Sequence, residues 1–131
     1  MAAPESYPDD LKYHRDHDWA RVEGDAAVLG ITWFAQDSLG ELVHFEAPAT
    51  GTTIGKDSAY GEVESVKAVS DVIAPLSGEI LEVNQGVVDA PETVNEDPYG
   101  DGWLVRIRLA DASEVDDLLD AAAYKAFVDE Q

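Results

Sequence analysis

The sequence contains 131 residues, a length that suits one domain built around a single hydrophobic core. Its 28 acidic residues outnumber the 8 basic ones and give a formal net charge of −20. This charge argues against a nucleic-acid partner, because phosphate contacts need clustered lysine and arginine. The absence of cysteine excludes disulfides, thiolate metal sites and a cysteine nucleophile.

No apolar run approaches the roughly 20 residues that span a membrane. Residues 1–6 lack the basic region followed by an apolar stretch that is typical of a signal peptide. We therefore expect a cytoplasmic protein without a membrane partner.

The N-terminal part predicts a loose segment followed by a hairpin. Residues 1–10 are polar and contain two prolines, which favours a loose lead-in. Residues 19–22 and 26–31 are rich in apolar residues and suit two strands. The segment Glu23-Gly24-Asp25 between them is typical of a tight turn.

The remaining elements are predicted from caps and hydrophobic periodicity. Thr32 suits an N-cap and Gly40 a C-terminal stop, so a short helix is expected between them. Helical spacing of apolar residues predicts a C-terminal helix over 113–130. Alternating residues predict three further strands, at 41–46, 78–83 and 103–109.

A short internal repeat brackets the centre of the chain. Residues 47–54 and 74–81 both begin with Ala-Pro and have Gly four residues after the Ala. We expect these two strand units to pack face to face. Many short strands with one terminal helix predict a mainly β fold, a small flattened β-barrel or sandwich, and the whole chain 1–131 is expected to form one domain.

The centre of the chain, between the two repeats, contains Lys67. The flanking segments 62–66 and 69–73 are rich in valine and alternate, so each predicts a strand. Val66, Lys67 and Ala68 would then form the turn of a hairpin. A lysine amine at such a tip is exposed on a flexible stem and can be acylated.

The stretch Glu64-Ser65-Val66-Lys67-Ala68 resembles the lipoyl-attachment site of the glycine cleavage system H protein family. The resemblance extends over roughly residues 11–128, although Asp18 stands where the family usually has Glu. Further blocks match in the same order, namely His17-Asp18-Trp19, Gly30-Ile31-Thr32, Ser77-Gly78-Glu79, Val94-Asn95-Glu96-Asp97-Pro98-Tyr99 and Gly102-Trp103-Leu104.

The resemblance implies a barrel-sandwich hybrid of the lipoyl/biotinyl-carrier type and a non-catalytic carrier. Lipoic acid would be joined covalently to Lys67. The arm would take an aminomethyl group from the pyridoxal-phosphate glycine decarboxylase to the tetrahydrofolate-dependent aminomethyltransferase. The FAD enzyme dihydrolipoyl dehydrogenase would reoxidise the arm, and a lipoyl ligase or transferase would attach it. A monomer is expected, because the arm must reach several partners.

The resemblance also implies a cleft into which the loaded arm folds back. By position, its lining residues would be Asp16, Asp18 and Asp71. A carboxylate can hold a cationic aminomethyl amine by a charge-assisted hydrogen bond. Asp18 is one methylene shorter than glutamate, which shortens its reach.

Several alternatives stay open at this point. A lipoyl-relay protein would donate lipoyl groups to other enzymes, and the sequence does not separate it from a glycine cleavage carrier. A biotinyl carrier usually has methionines beside the lysine, whereas Val66 and Ala68 stand here. A mobile domain of a 2-oxoacid dehydrogenase is shorter and precedes a linker. His14, His17 and His44 lack the pattern of a metal site, so no metal and no independent enzyme is expected.

The charge of −20 generates a prediction about salt. Like charges repel in the compact state, and ions screen that repulsion. We expect adaptation to a salt-rich cytoplasm, so the melting temperature should rise as molar KCl is added, in a thermal scan followed by circular dichroism. A flat or falling melting temperature would contradict salt adaptation.

Overall fold

The computed structural model describes residues 3–131, which form two antiparallel sheets. The first has six strands in the order β1-β2-β3-β9-β8-β5, and the second has three strands in the order β4-β6-β7. The strands are β1 Lys12–Tyr13, β2 Asp18–Glu23, β3 Ala26–Ile31, β4 Leu42–Glu46, β5 Thr53–Ile54, β6 Ala59–Ser65, β7 Val69–Ile73, β8 Gly78–Val83 and β9 Val105–Leu109.

Short helices join and cover the sheets. They are α1 Trp33–Leu39, α2 Gln85–Asp89, α3 Thr93–Glu96, the 3-10 helix Ala112–Asp117 and α4 Ala121–Asp129. Helix α1 begins where the Thr32 side chain accepts the Ala35 N–H, and it ends at Gly40 with a φ of 84°. Both predicted ends of this helix are confirmed.

The predicted hairpin near the N-terminus is confirmed as β2 and β3. Gly24 turns the chain with a φ of 67°, a conformation that glycine adopts without a steric cost. The alternation predicted for the last strand is also confirmed, since Val105 and Ile107 are buried whereas Arg106 and Arg108 are not.

The main core lies between the two sheets. It combines residues of the six-stranded sheet, such as Leu29 and Ile107, with Phe45, Val63 and Val72 of the three-stranded sheet. A second cluster lies under α4 and is largely aromatic, with Tyr13, Trp19 and Tyr124 among its buried members. The predicted mainly β class is therefore confirmed as two packed antiparallel sheets, which do not form a closed barrel.

The predicted C-terminal helix is confirmed as α4, but its predicted start at residue 113 is wrong. The 3-10 helix ends at Asp117, and α4 begins only at Ala121. Between them Leu119 exchanges two backbone hydrogen bonds of 2.8 Å with Tyr13, so this residue extends the edge of the six-stranded sheet instead of continuing a helix. Tertiary pairing overrides the helical periodicity here.

Of the loose lead-in predicted over 1–10, residues 3–10 form hydrogen bonds with the rest of the domain. Residues 1 and 2 lie outside the described range. The Tyr13 hydroxyl donates to the Pro8 carbonyl at 2.7 Å, and the Tyr99 hydroxyl donates to the Ser6 carbonyl at 2.7 Å. These hydrogen bonds between distant segments hold residues 3–10 against the aromatic cluster.

The two repeat units do not pack face to face as predicted. They lie side by side in one sheet, where Thr53 pairs with Glu79 and Ile54 with Gly78. Within residues 3–131, no helix is long and apolar enough to cross a membrane.

Candidate functional site

Lys67 lies at the tip of the hairpin formed by β6 and β7, as the sequence predicts. The Ser65 N–H donates to the Ala68 carbonyl at 2.8 Å, so the turn between them contains only Val66 and Lys67. Both residues are exposed, and Val66 keeps 84% of its surface accessible. The fold therefore presents a lysine amine to solvent at the end of a protruding, well-defined turn.

The Ser65 side chain stabilises this turn from its buried side. Ser65 is buried, and its Oγ accepts the N–H groups of Lys67 at 3.3 Å and Ala68 at 3.2 Å. A side-chain hydroxyl that accepts hydrogen bonds from the N–H groups two and three residues further on reproduces the hydrogen bonding of a backbone turn. Ser65 thus fixes the direction in which the Lys67 side chain leaves the hairpin.

The surface around the tip combines acidic and apolar side chains. Glu62 and Glu64 are exposed on the outward face of the three-stranded sheet and form a negative rim beside the tip. Val43 and Val69 are exposed on the same sheet, at 47% and 59%. On the inner side, the Lys67 stem passes Gly40, where an added Cβ would lie 3.7 Å from Lys67 Cε.

Asp18 is the buried acid of the site. Its side chain begins on β2 of the six-stranded sheet and accepts a backbone hydrogen bond from Ile73 at the end of β7. Only 2% of Asp18 is exposed, and its Oδ1 has no hydrogen-bond partner among the described residues. Burial raises the pKa of this carboxyl well above its usual value, and the charge of Asp16 raises it further, against the lowering effect of the Ile73 N–H.

The three aspartates expected to line a cleft have different surroundings. Asp71 is exposed and stands opposite Glu62 in the sheet register, two residues before the Ile73 N–H that Asp18 accepts. Asp16 is exposed and lies 3.6 Å from His14 Nδ1. The structure therefore brings Asp18 and the strand of Asp71 together at the edge of β7, whereas the Asp16 carboxylate faces His14.

Two buried tyrosines, Tyr60 and Tyr124, contribute hydroxyls to this region without any local signal in the sequence. Tyr60 on β6 is buried, its hydroxyl has no partner among the described residues, and its pKa is raised by burial and by the charge of Asp18. The Nδ1 of His17 is 2.7 Å from the Tyr124 hydroxyl, which is also 2.8 Å from Thr32 Oγ at the start of α1. Both groups meet their neighbours across long sequence separations, so no local pattern indicates them.

The histidines are used in separate hydrogen bonds. His14 Nε2 lies 2.6 Å from Asp57 Oδ1, and burial lowers the pKa of His17. Among residues 3–131, no group of three or more metal-ligating side chains is arranged to hold an ion.

Comparisons with known proteins agree on one family. The family model described as glycine cleavage H-protein matches residues 11–131. A glycine cleavage system H protein from Anaeromyxobacter sp. (strain K) is 53% identical over 124 residues, covering 95% of this chain and 97% of the relative. A second, from Halorhodospira halophila, is 57% identical over 122 residues, with 92% and 94% coverage.

A solved structure extends this similarity to the fold. The crystal structure of a glycine cleavage system H protein from Mycobacterium marinum superposes with a TM-score of 0.84 at 42% identity, covering 91% of this chain and 96% of that one.

Two small sheets that present an exposed lysine on a rigid two-residue turn define a carrier domain. The chain belongs to the glycine cleavage H-protein family. Proteins of this family are lipoyl carriers and not catalysts, so the expected function class is confirmed.

Replacing Ser65 tests how the turn is held. Ser65→Ala removes the acceptor of the Lys67 and Ala68 N–H groups, so the free energy of unfolding should fall by about 1 kcal/mol, measured by urea denaturation. Modification of Lys67 by a lipoyl ligase should also become slower. The matched control is Ser70→Ala, because the Ser70 hydroxyl only donates to the Asp71 carbonyl on the exposed surface of the same hairpin. Equal effects of the two variants would contradict this role.

Replacing Asp18 by Asn tests the cost of the buried charge. The folded-state pKa of Asp18 lies above its usual value of 3.8, so its contribution to stability is fully present below pH 3.8 and is lost as the pH rises through the folded-state pKa. Asp18→Asn should therefore gain stability relative to the unsubstituted chain as the pH rises, in urea denaturation between pH 4 and 8. A stability difference that does not change with pH would show that the carboxyl is not desolvated.

Proposed function

We propose that this chain carries lipoic acid as an amide on Lys67 and shuttles an aminomethyl group from glycine decarboxylase to the aminomethyltransferase. The position of Lys67 at the Ser65-held tip supports this most directly. An amine that protrudes from a rigid turn can enter the deep active sites of several enzymes in succession. A tether of this kind raises the effective concentration of the cargo at each of them.

Lipoic acid attached to Lys67 would supply a dithiol/disulfide pair that can bond the carbon of the aminomethyl group and change the oxidation state of that carbon. The chain itself contains no cysteine, so its own side chains do not exchange with that dithiol. Its residues bind, orient and shield. Ser65 orients the stem of Lys67, and Gly40 leaves room beside that stem.

One observation supports a contact between Asp18 and the cargo on the loaded arm. The orphaned Oδ1 of Asp18 is a buried acceptor, and a buried polar atom without a partner is costly unless a ligand satisfies it. A cationic aminomethyl amine would satisfy it and would favour the ionised carboxyl. We propose that Asp18 holds the amine, that Asp71 lies along the path of the arm, and that Asp16 contributes through the field that it exerts on Asp18.

The partners that we propose follow the same chemistry. They are glycine decarboxylase with pyridoxal phosphate, the aminomethyltransferase with tetrahydrofolate, dihydrolipoyl dehydrogenase with FAD, and a lipoyl ligase or transferase. The acidic rim of Glu62 and Glu64 and the exposed Val66 favour enzyme surfaces with an apolar centre and a basic rim. We also propose that the carrier works as a cytoplasmic monomer.

The experiment that tests this function is mass spectrometry after co-expression with a lipoyl ligase. We expect one lipoyl adduct on the peptide that contains Lys67, and an added aminomethyl group after incubation with glycine and glycine decarboxylase. Lys67→Arg should abolish both, whereas the matched control Lys125→Arg, at a lysine on α4 paired with Asp129, should change neither. A biotinyl adduct, or a lipoyl adduct elsewhere, would overturn the assignment.

A further inference from the structure

The strand that follows Lys67 has one open edge. Strand β7 is the outer strand of its sheet and pairs only with β6. In an antiparallel ladder, residues alternate between those whose N–H and C=O groups point to the partner strand and those whose groups point away. The open edge of β7 is therefore formed by the backbone of every second residue.

The turn determines which residues these are. The Ser65 N–H bonds the Ala68 carbonyl, so this pair belongs to the hydrogen-bonded set. The register pairs Glu64 with Val69, Val63 with Ser70 and Glu62 with Asp71, so the backbone groups of Val69, Asp71 and Ile73 point away from β6. The Ile73 N–H agrees with this alternation, because it points away from β6 and donates to Asp18 on the other sheet.

Val69 and Asp71 differ from Ile73 in having no such partner. Among the described residues, no hydrogen bond is made by the N–H of either one, and the Asp71 carbonyl accepts only the exposed Ser70 hydroxyl at 3.2 Å. Val69 is 59% exposed and Asp71 is also exposed, so the edge is open to a ligand. The open edge of β7 offers one donor and one acceptor at Val69, two residues after Lys67.

We propose that the open edge of β7 binds the secondary amide that joins the loaded lipoyl group to Lys67, through the backbone N–H and C=O of Val69. This inference rests on the proposed function and adds a backbone site to it. A secondary amide has one donor and one acceptor, as a peptide group has, so it can pair with a strand edge as a neighbouring strand does.

The reach of the lysine stem selects Val69. The amide carbon lies six bonds from the Lys67 Cα, a span of about 7 Å at roughly 1.2 Å of advance per bond. Two residues of strand also span about 7 Å, whereas Asp71 lies about 13 Å along the strand, beyond the amide. An arm paired at Val69 runs along β7 toward the Ile73 N–H, where Asp18 presents its unpartnered oxygen.

The tether also favours the arm over a strand from another molecule. The amide is attached two residues away, so its local concentration far exceeds that of a second chain. Strand β7 has five residues and includes the charged Asp71, and short, charged edges disfavour pairing between molecules. Repulsion between two copies that each have a net charge of −20 acts in the same direction.

The experiment measures hydrogen exchange of backbone amides by NMR on bare, lipoylated and aminomethyl-loaded protein, with each form verified by intact mass. We expect the Val69 amide to exchange about fivefold more slowly in the loaded form than in the bare form, because it gains an acceptor. The Ser70 amide, which faces Val63 inside the paired ladder and not the open edge, should not change. An unchanged Val69 amide in verified loaded protein would overturn the proposal, whereas failure to obtain the adduct would contradict the proposed function instead.

A proline variant tests the same bond independently. Proline is tolerated at the first position of a strand and where an edge N–H faces solvent, and Val69 meets both conditions. Val69→Pro should lose the aminomethyl group to water about fivefold faster than Val69→Ala, which keeps the N–H but loses the same apolar contacts. Equal rates in these two variants would overturn the proposal. If the proline variant fails to fold, the exchange measurement on the unsubstituted chain still decides. In that measurement, slowed Val69 exchange only at high protein concentration would indicate that a second copy of the chain binds the edge. This result would also overturn the proposal.

Discussion

The packing of the lysine hairpin into the main core is the constraint on which the site depends. Val63 and Val72 point inward from β6 and β7 and lie in the same cluster as Leu29 and Ile107 of the larger sheet. Because side chains alternate along a strand, a shift of one residue in the hairpin register would expose both valines and bury charged neighbours. The core therefore fixes the register, and the register fixes which backbone groups and side chains surround Lys67.

The free energy cost of the site is concentrated at Asp18. A carboxyl that is 2% exposed and has one unpartnered oxygen is less stable than a satisfied polar group. The Ile73 N–H compensates part of this cost and connects the two sheets. Natural folds keep such groups mostly where a ligand or a reaction uses them. The strain at Asp18 thus marks the junction of the sheets as the functional part of the interior.

Local patterns in the sequence were sufficient for the features that depend on neighbouring residues. The turn around Lys67, the caps Thr32 and Gly40 and the alternation around Arg106 all follow from residues a few positions apart. The features that escaped prediction depend on distant pairs. Helical periodicity could not reveal that Leu119 pairs with Tyr13.

The same limit applies to the interior of the site. In a chain with 28 acidic residues, nothing local distinguishes a buried aspartate such as Asp18 from a solvated one. The unpartnered hydroxyl of Tyr60 and the hydrogen bond between His17 and Tyr124 likewise depend on segments that only the folded chain brings together. Family resemblance identified Asp18 as a residue of interest, but its burial required the structure.

The Tyr124 hydroxyl has a consequence for the order in which the chain can fold during synthesis. It lies within hydrogen-bond distance of both His17 and Thr32, and the Tyr124 ring stacks on Tyr13 at a centroid distance of 4.7 Å. His17 and Thr32 therefore complete these contacts only with a residue that is synthesised 107 and 92 positions after them. Contacts of such long sequence separation form late and slow the folding of a chain. The hairpin that bears Lys67 can form early from its own neighbours, while the sheet that supports it stays incomplete until α4 has been made.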